Sequence, residues 1–244
     1  MATPPGIPWI EQDLVDNLGK DVLGSGRSAA ELLDIYFAEF KERRTSDRRK
    51  DKVGFAGQFF DEISLSRVDE GLIPGERDLT AVSYLSIKVD GEMYASLRAV
   101  ASKVAEALSR VPGLGRESEI WDCPQSWFTK GSGLLDALDI VRTLDKFGET
   151  TSRKVMSAMF PHLLPVRDSV VERVMASTAG VGWWTSWRGI CGTSLKSHLA
   201  TVRHQAVDAN PRIPGNLSLL RVADIAIWTA EHIKSKSNGA AAGR

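Results

Sequence analysis

The chain has 244 residues, 43% of them hydrophobic and 25% charged, and its 31 Lys+Arg are balanced by 31 Asp+Glu. That profile belongs to a globular protein long enough to bury a sizeable core, as one large domain or two small ones. A net charge of zero argues against a protein that coats nucleic acid non-specifically, although it leaves room for a local basic face.

Two cysteines, Cys123 and Cys191, exclude a four-cysteine zinc or iron–sulfur site. His162, His198, His204 and His232 show no metal-ligand spacing with carboxylates. No apolar run approaches the length of a membrane span, and Met1-Ala2-Thr3-Pro4-Pro5 is not a signal peptide. The expectation is a cytoplasmic protein without a membrane partner.

In chain order, residues 1–26 read as an N-terminal arm, 27–237 as a helical domain and 238–244 as a flexible small-residue tail. Ser28 and Glu31 have capping-box spacing, and Leu32, Leu33, Tyr36, Phe37 and Phe40 follow on one helical stripe. Lys41–Lys52, with seven basic and three acidic residues, reads as a solvated loop or helix end rather than a dedicated phosphate patch. Acidic residues dominate from Phe60 to Glu92, and from Trp184 to Arg221 the only acid is Asp208. Phe59–Leu65 and Leu163–Val166 are short strand candidates.

Helices are expected over 78–87 and 92–110, the second with Leu97, Ala101, Val104, Ala105 and Leu108 on one side. Pro112-Gly113-Leu114-Gly115 reads as a loop, because no expected helix and no suitably placed Asp follow it. Amphipathic helices at 134–144 and 150–160 come next, then one that starts after Asp168, and a last one from Leu219 to Ile233. The glycine- and tryptophan-rich stretch 180–187 interrupts the order. The fold class is mostly α, one or two helical lobes, with no parallel-sheet rhythm and no phosphate-binding glycine loop.

The turn Asp145-Lys146-Phe147-Gly148-Glu149 is tight enough to leave the next helix's first N–H groups exposed, which is an anion site in principle. Asp168 ends a proline-stiffened stretch and begins a helix. It reads as an ordinary N-cap or as an acid aimed into a groove, and the two roles are compatible because a cap is held rigidly.

From Gly148 to Ala176, with no insertion, the run Gly148-Glu149-Thr150-Thr151-Ser152-Arg153-Lys154-Val155-Met156, then Pro165, then Asp168-Ser169-Val170-Val171-Glu172-Arg173-Val174 resembles the signature of helix-hairpin-helix DNA glycosylases. The likeness is to the adenine-excising and endonuclease III branches. It implies a helical glycosylase-like fold around a hairpin-helix core at about 134–176 and double-stranded DNA as partner, with no obligate protein partner. Phe147 and Gly148 take the last two hairpin positions, Thr151 the family's Thr and Asp168 its catalytic Asp. Lys146 stands where the first hairpin Gly is expected, and Glu149 beside it would repel a phosphate. With Arg188, the hairpin residues Lys146, Phe147, Gly148 and Thr151 are the implied DNA contacts. Thr150 stands where lyase members carry a Schiff-base Lys, so the implied enzyme is monofunctional. No cofactor and no iron–sulfur cluster is implied, beyond a monovalent cation at the hairpin.

The chemistry suits such an inventory. Cutting an N-glycosidic bond builds positive charge on the sugar, and one carboxylate can stabilise it and activate water. A duplex base must first flip out of the stack. Trp183, Trp184 and Trp187 are stacking candidates, together with Trp121 and Trp127, against the alternative that each fills core. Arg188, Lys196, Arg203 and Arg212 are candidate phosphate contacts. The expected activity is hydrolysis of the N-glycosidic bond of a damaged or modified base, in repair or in defence against modified foreign DNA. A non-catalytic helix-hairpin-helix DNA-binding protein, or a helical interaction protein sharing only the fold, stays open beside it.

Overall fold

The structure, a computed structural model, describes residues 18, 21–39, 55–66, 71–175 and 193–241. Among the described residues nine α-helices follow one another: α1 (Ala29–Tyr36), α2 (Gly57–Leu65), α3 (Glu76–Ser83), α4 (Gly91–Ser109), α5 (Gly133–Arg142), α6 (Gly148–Met159), α7 (Ser169–Met175), α8 (Thr193–Ala209) and α9 (Leu219–Ala241). Among the described residues there is no strand, so the protein is mostly α.

Local chemistry sets several helix starts. Ser28 and Glu31 close the expected capping box, the Glu31 N–H donating to Ser28 Oγ at 3.3 Å and the Ser28 N–H to Glu31 Oε2 at 2.8 Å. Asp90 caps α4 by accepting from the Met93 N–H at 3.1 Å, and Ser132 caps α5 through Leu135 at 3.2 Å.

Helices from both ends of the chain form one layer, in which α9 packs on α1, α8, α7 and the 3-10 turn Val22–Gly24. The middle helices form the other, with α4 on α5, α5 on α6, and α6 on α2 and α3. A single apolar core runs through both, from Leu18 and Val22 to Ile227 and Ala230. Leu18 and Val22, from the segment read as an arm, are thus part of that core. At Gly133 a side-chain Cβ would overlap the Ala107 carbonyl oxygen, so its absence lets α5 close directly onto α4.

The structure corrects four readings. Phe59–Leu65 is helix α2, not a strand, and its buried face carries Asp61 and Ser64 among apolar residues. Leu163–Val166 is a turn leading into extended chain without sheet partners. Helix α8 was not expected at all. Finally, α9 continues to Ala241, beyond the point where a tail was expected to begin. The alanines at 240–241 are strong helix formers.

Candidate functional site

The hairpin between α5 and α6 has two left-handed residues, Lys146 (φ 67°) and Gly148 (φ 53°). Lys146 occupies the position where the glycosylase signature has glycine, and the backbone there takes the conformation that favours glycine. The first turn of α6 has no side-chain cap, leaving its leading amides without an intrahelical acceptor. Ser152 Oγ donates back to the Gly148 carbonyl at 2.6 Å.

The hairpin's charged side chains are already engaged. Lys146 Nζ donates to Asp90 at 2.8 Å and also to Glu92, and these bonds raise its pKa. Glu149 takes hydrogen bonds from Arg153 at 2.5 Å, Arg167 at 3.0 Å and Arg142 at 3.2 Å. Burial opposes its ionisation, yet the arginines hold its pKa below the ordinary value. The repelling charge expected at Glu149 is therefore compensated. Phe147 and Thr151 are buried, so contacts at these positions fall to the backbone, and the Phe147 N–H is used by the Leu144 carbonyl at 3.2 Å.

Asp168 lies beyond the stretch fixed by Ser157 Oγ, which donates to the Pro165 carbonyl at 2.8 Å. Its Oδ1 accepts from the Val170 N–H at 2.8 Å and its carbonyl from the Glu172 N–H at 2.8 Å, so it is the N-cap of α7. Its Oδ2 has no hydrogen bond among the described residues. The same residue lines a cavity of about 280 Å³ between the two helix layers. The cap read from the sequence is seen directly, and the same half-buried residue borders the cavity.

The cavity wall joins aromatic surface to charge. Tyr36 from α1, Tyr84 after α3 and Trp228 from α9 face it, together with Lys154 from α6 and Arg221 and Asp224 from α9. Phe55 meets Trp228 edge to face at 4.9 Å and His232 at 5.1 Å, and Trp228 stacks on His232 at 4.9 Å. Gly57 makes room for the Tyr36 hydroxyl, which a Cβ there would overlap.

Arg221 is the hub of a buried network. Its Nε and Nη2 hold Asp61 at 2.6 and 2.9 Å, Nη2 reaches the Tyr36 hydroxyl at 3.2 Å, and Nη1 binds Asp224 Oδ2. Burial alone would lower the Arg221 pKa, but Asp61 and Asp224 outweigh it and raise it. One cation thus serves two buried carboxylates. Burial pushes the Asp224 pKa up to about 7, against the pull of Arg221 and with help from the charge of Asp168. Burial lowers the pKa of Lys154, opposed by Asp168 and Asp224, and its Nζ donates to the Leu85 carbonyl at 2.9 Å.

Trp183, Trp184, Trp187, Arg188 and the basic stretch 41–52 lie outside the described residues. Trp121 is half-buried and Trp127 buried, and neither lines the cavity with Asp168. Of the candidate phosphate contacts after Trp184 that the structure describes, two are engaged within the protein. Lys196 pairs with Glu119 at 2.8 Å and Asp122 at 3.0 Å, Arg203 donates to the Leu217 carbonyl, and Arg221 is buried; Arg212 is exposed. Tyr36, Lys154, Asp224 and Trp228 were missed by sequence reasoning. A signal existed for three wall residues, since Arg221, Asp224 and Trp228 are spaced three and four apart in the run 219–228, whose other residues are all apolar.

Residues 29–231 match the family of unknown function DUF6308. The chain belongs to that family. The match takes in the hairpin, Asp168 and the cavity wall from Tyr36 to Trp228. Among curated proteins and among solved structures, nothing matches the chain. Among the described residues no group of three His, Cys, Asp or Glu could hold a metal ion, and no helix is long and apolar enough to cross a membrane.

Proposed function

We propose that this protein is a monofunctional DNA glycosylase that hydrolyses the N-glycosidic bond of a damaged or modified base, in repair or in defence against modified foreign DNA. The observation that carries the reading is Asp168. Collinear with the hairpin, it is locked through Oδ1 as the cap of α7, and it stands in the wall of a cavity with aromatic surfaces. A carboxylate held this way can stabilise a sugar cation and orient water without reorganising. The cavity is near the lower end of the range for small-ligand pockets, and Tyr36, Tyr84 and Trp228 offer a flipped base surfaces to stack on. The uncapped first turn of α6 would hold a backbone phosphate.

Duplexes carrying a panel of damaged and modified bases test this. At least one should acquire alkali-labile abasic sites, and borohydride should trap no covalent complex, because Thr150 replaces the lyase lysine. An adduct would move the chemistry to an amine, with Lys154 in the cavity wall the first to examine.

A helical interaction protein that keeps only the fold is favoured by one observation. Asp90 and Glu92 sit against Lys146 at the hairpin, where they oppose an incoming phosphate. Absence of salt-sensitive duplex affinity would select that reading.

A further inference from the structure

Building on the glycosylase reading, we propose that Lys154 selects the occupant of the cavity by donating a hydrogen bond to a carbonyl oxygen on a neutral, flat ring. Lys154 and Arg221 are the cations of the wall. Arg221 is engaged at all three nitrogens, by Asp61, the Tyr36 hydroxyl and Asp224. Lys154 Nζ makes one hydrogen bond among the described residues, to the Leu85 carbonyl at 2.9 Å. The nitrogen, and not only its stem, belongs to the wall. Leu85, which it bonds, and Asp168, Asp224 and Arg221, whose charges act on it, all line the same cavity.

An ammonium carries three N–H donors, so two are left for an occupant, and a neutral amine would still leave one. An oxygen from the occupant satisfies a donor that is otherwise costly to shield from water. Charge decides which kind of oxygen. Lys154 and Arg221 are matched by Asp168 and Asp61, and Asp224 keeps its proton up to about pH 7, so the wall has no net positive charge to hold a carboxylate or phosphate. An amino group in the same place would set donor against donor. The aromatic surfaces of Tyr36, Tyr84 and Trp228 call for a flat ring.

The test is ligand-detected NMR titration of the full chain with free hypoxanthine and free adenine, purines that carry an oxo and an amino group at the same ring position. It is run at about pH 6, where Asp224, with its pKa of about 7, keeps its proton. Hypoxanthine should bind about tenfold or more tightly than adenine. Lys154→Met keeps the length of the side chain and removes the donor, so the two bases should then bind alike. Equal binding by wild type, binding of neither base, tighter binding of adenine, or a preference that survives Lys154→Met overturns the proposal. If that variant does not fold, the wild-type preference alone decides. A hypoxanthine preference with no base release from any duplex would keep this inference and sink the glycosylase reading, and base release without the preference would do the reverse.

Discussion

Asp168 and Asp224 line one cavity, and the charge of Asp168 adds to the burial that lifts the pKa of Asp224 to about 7. Two carboxylates in one wall, with Arg221 already shared with Asp61, make the cavity sensitive to proton uptake.

That sensitivity has a definite sign. The folded chain keeps a proton on Asp224 up to about pH 7, whereas an unfolded Asp releases it near 3.8. Between those values the folded state binds more protons than the unfolded one, so this group's contribution to stability falls as pH rises through the window. Asp224→Asn cannot titrate. Relative to wild type it should gain stability between about pH 4 and pH 7, by roughly 2–4 kcal/mol, and the difference should level off above that range. Urea unfolding of both proteins across this range measures it, and a constant gap would remove the proton from the account.

The left-handed backbone at Lys146 yields a second expectation. Lys146→Gly relieves the Cβ at φ 67° while giving up the bonds to Asp90 and Glu92. Lys146→Ala gives up those bonds and keeps the Cβ. Thermal melts should therefore rank Lys146→Gly above Lys146→Ala. The reverse order would mean that the hairpin does not impose the conformation.

Gly133→Ala tests the close approach of α5 to α4. Its Cβ would meet a backbone oxygen, Ala107 O, rather than a movable side-chain tip. A loss of about 1–3 kcal/mol is expected from overpacking. A melt indistinguishable from wild type would show that the two helices can separate freely.

What the sequence revealed follows from where its polar residues sit. The periodicity of α4 and α5 was legible because their buried faces are apolar, that of α6 through Val155, Met156 and Met159, as was the cap at Ser28–Glu31. The strand reading of Phe59–Leu65 failed because the buried face of α2 includes Asp61, whose partner Arg221 lies far along the chain. Helix α8 was missed although Leu195, Leu199, Val202 and Ala206 are spaced as a buried stripe, because the preceding Gly/Trp-rich stretch drew the boundary elsewhere. Asp168 was legible as a cap from its position alone. The cavity beside it was not, since Tyr36, Lys154, Asp224 and Trp228 come from three separate helices, and long-range packing alone brings them together.

The most direct measurement compares wild type with Asp168→Asn on duplexes carrying modified bases, with abasic sites revealed by alkali. Asn caps a helix about as well as Asp, so the variant should keep its fold and its duplex affinity. Its rate of base release should fall about 100-fold or more, because the charge that stabilises the sugar cation is gone. Release by Asp168→Asn at the wild-type rate, or no release by wild type from any duplex, would contradict the assignment of Asp168.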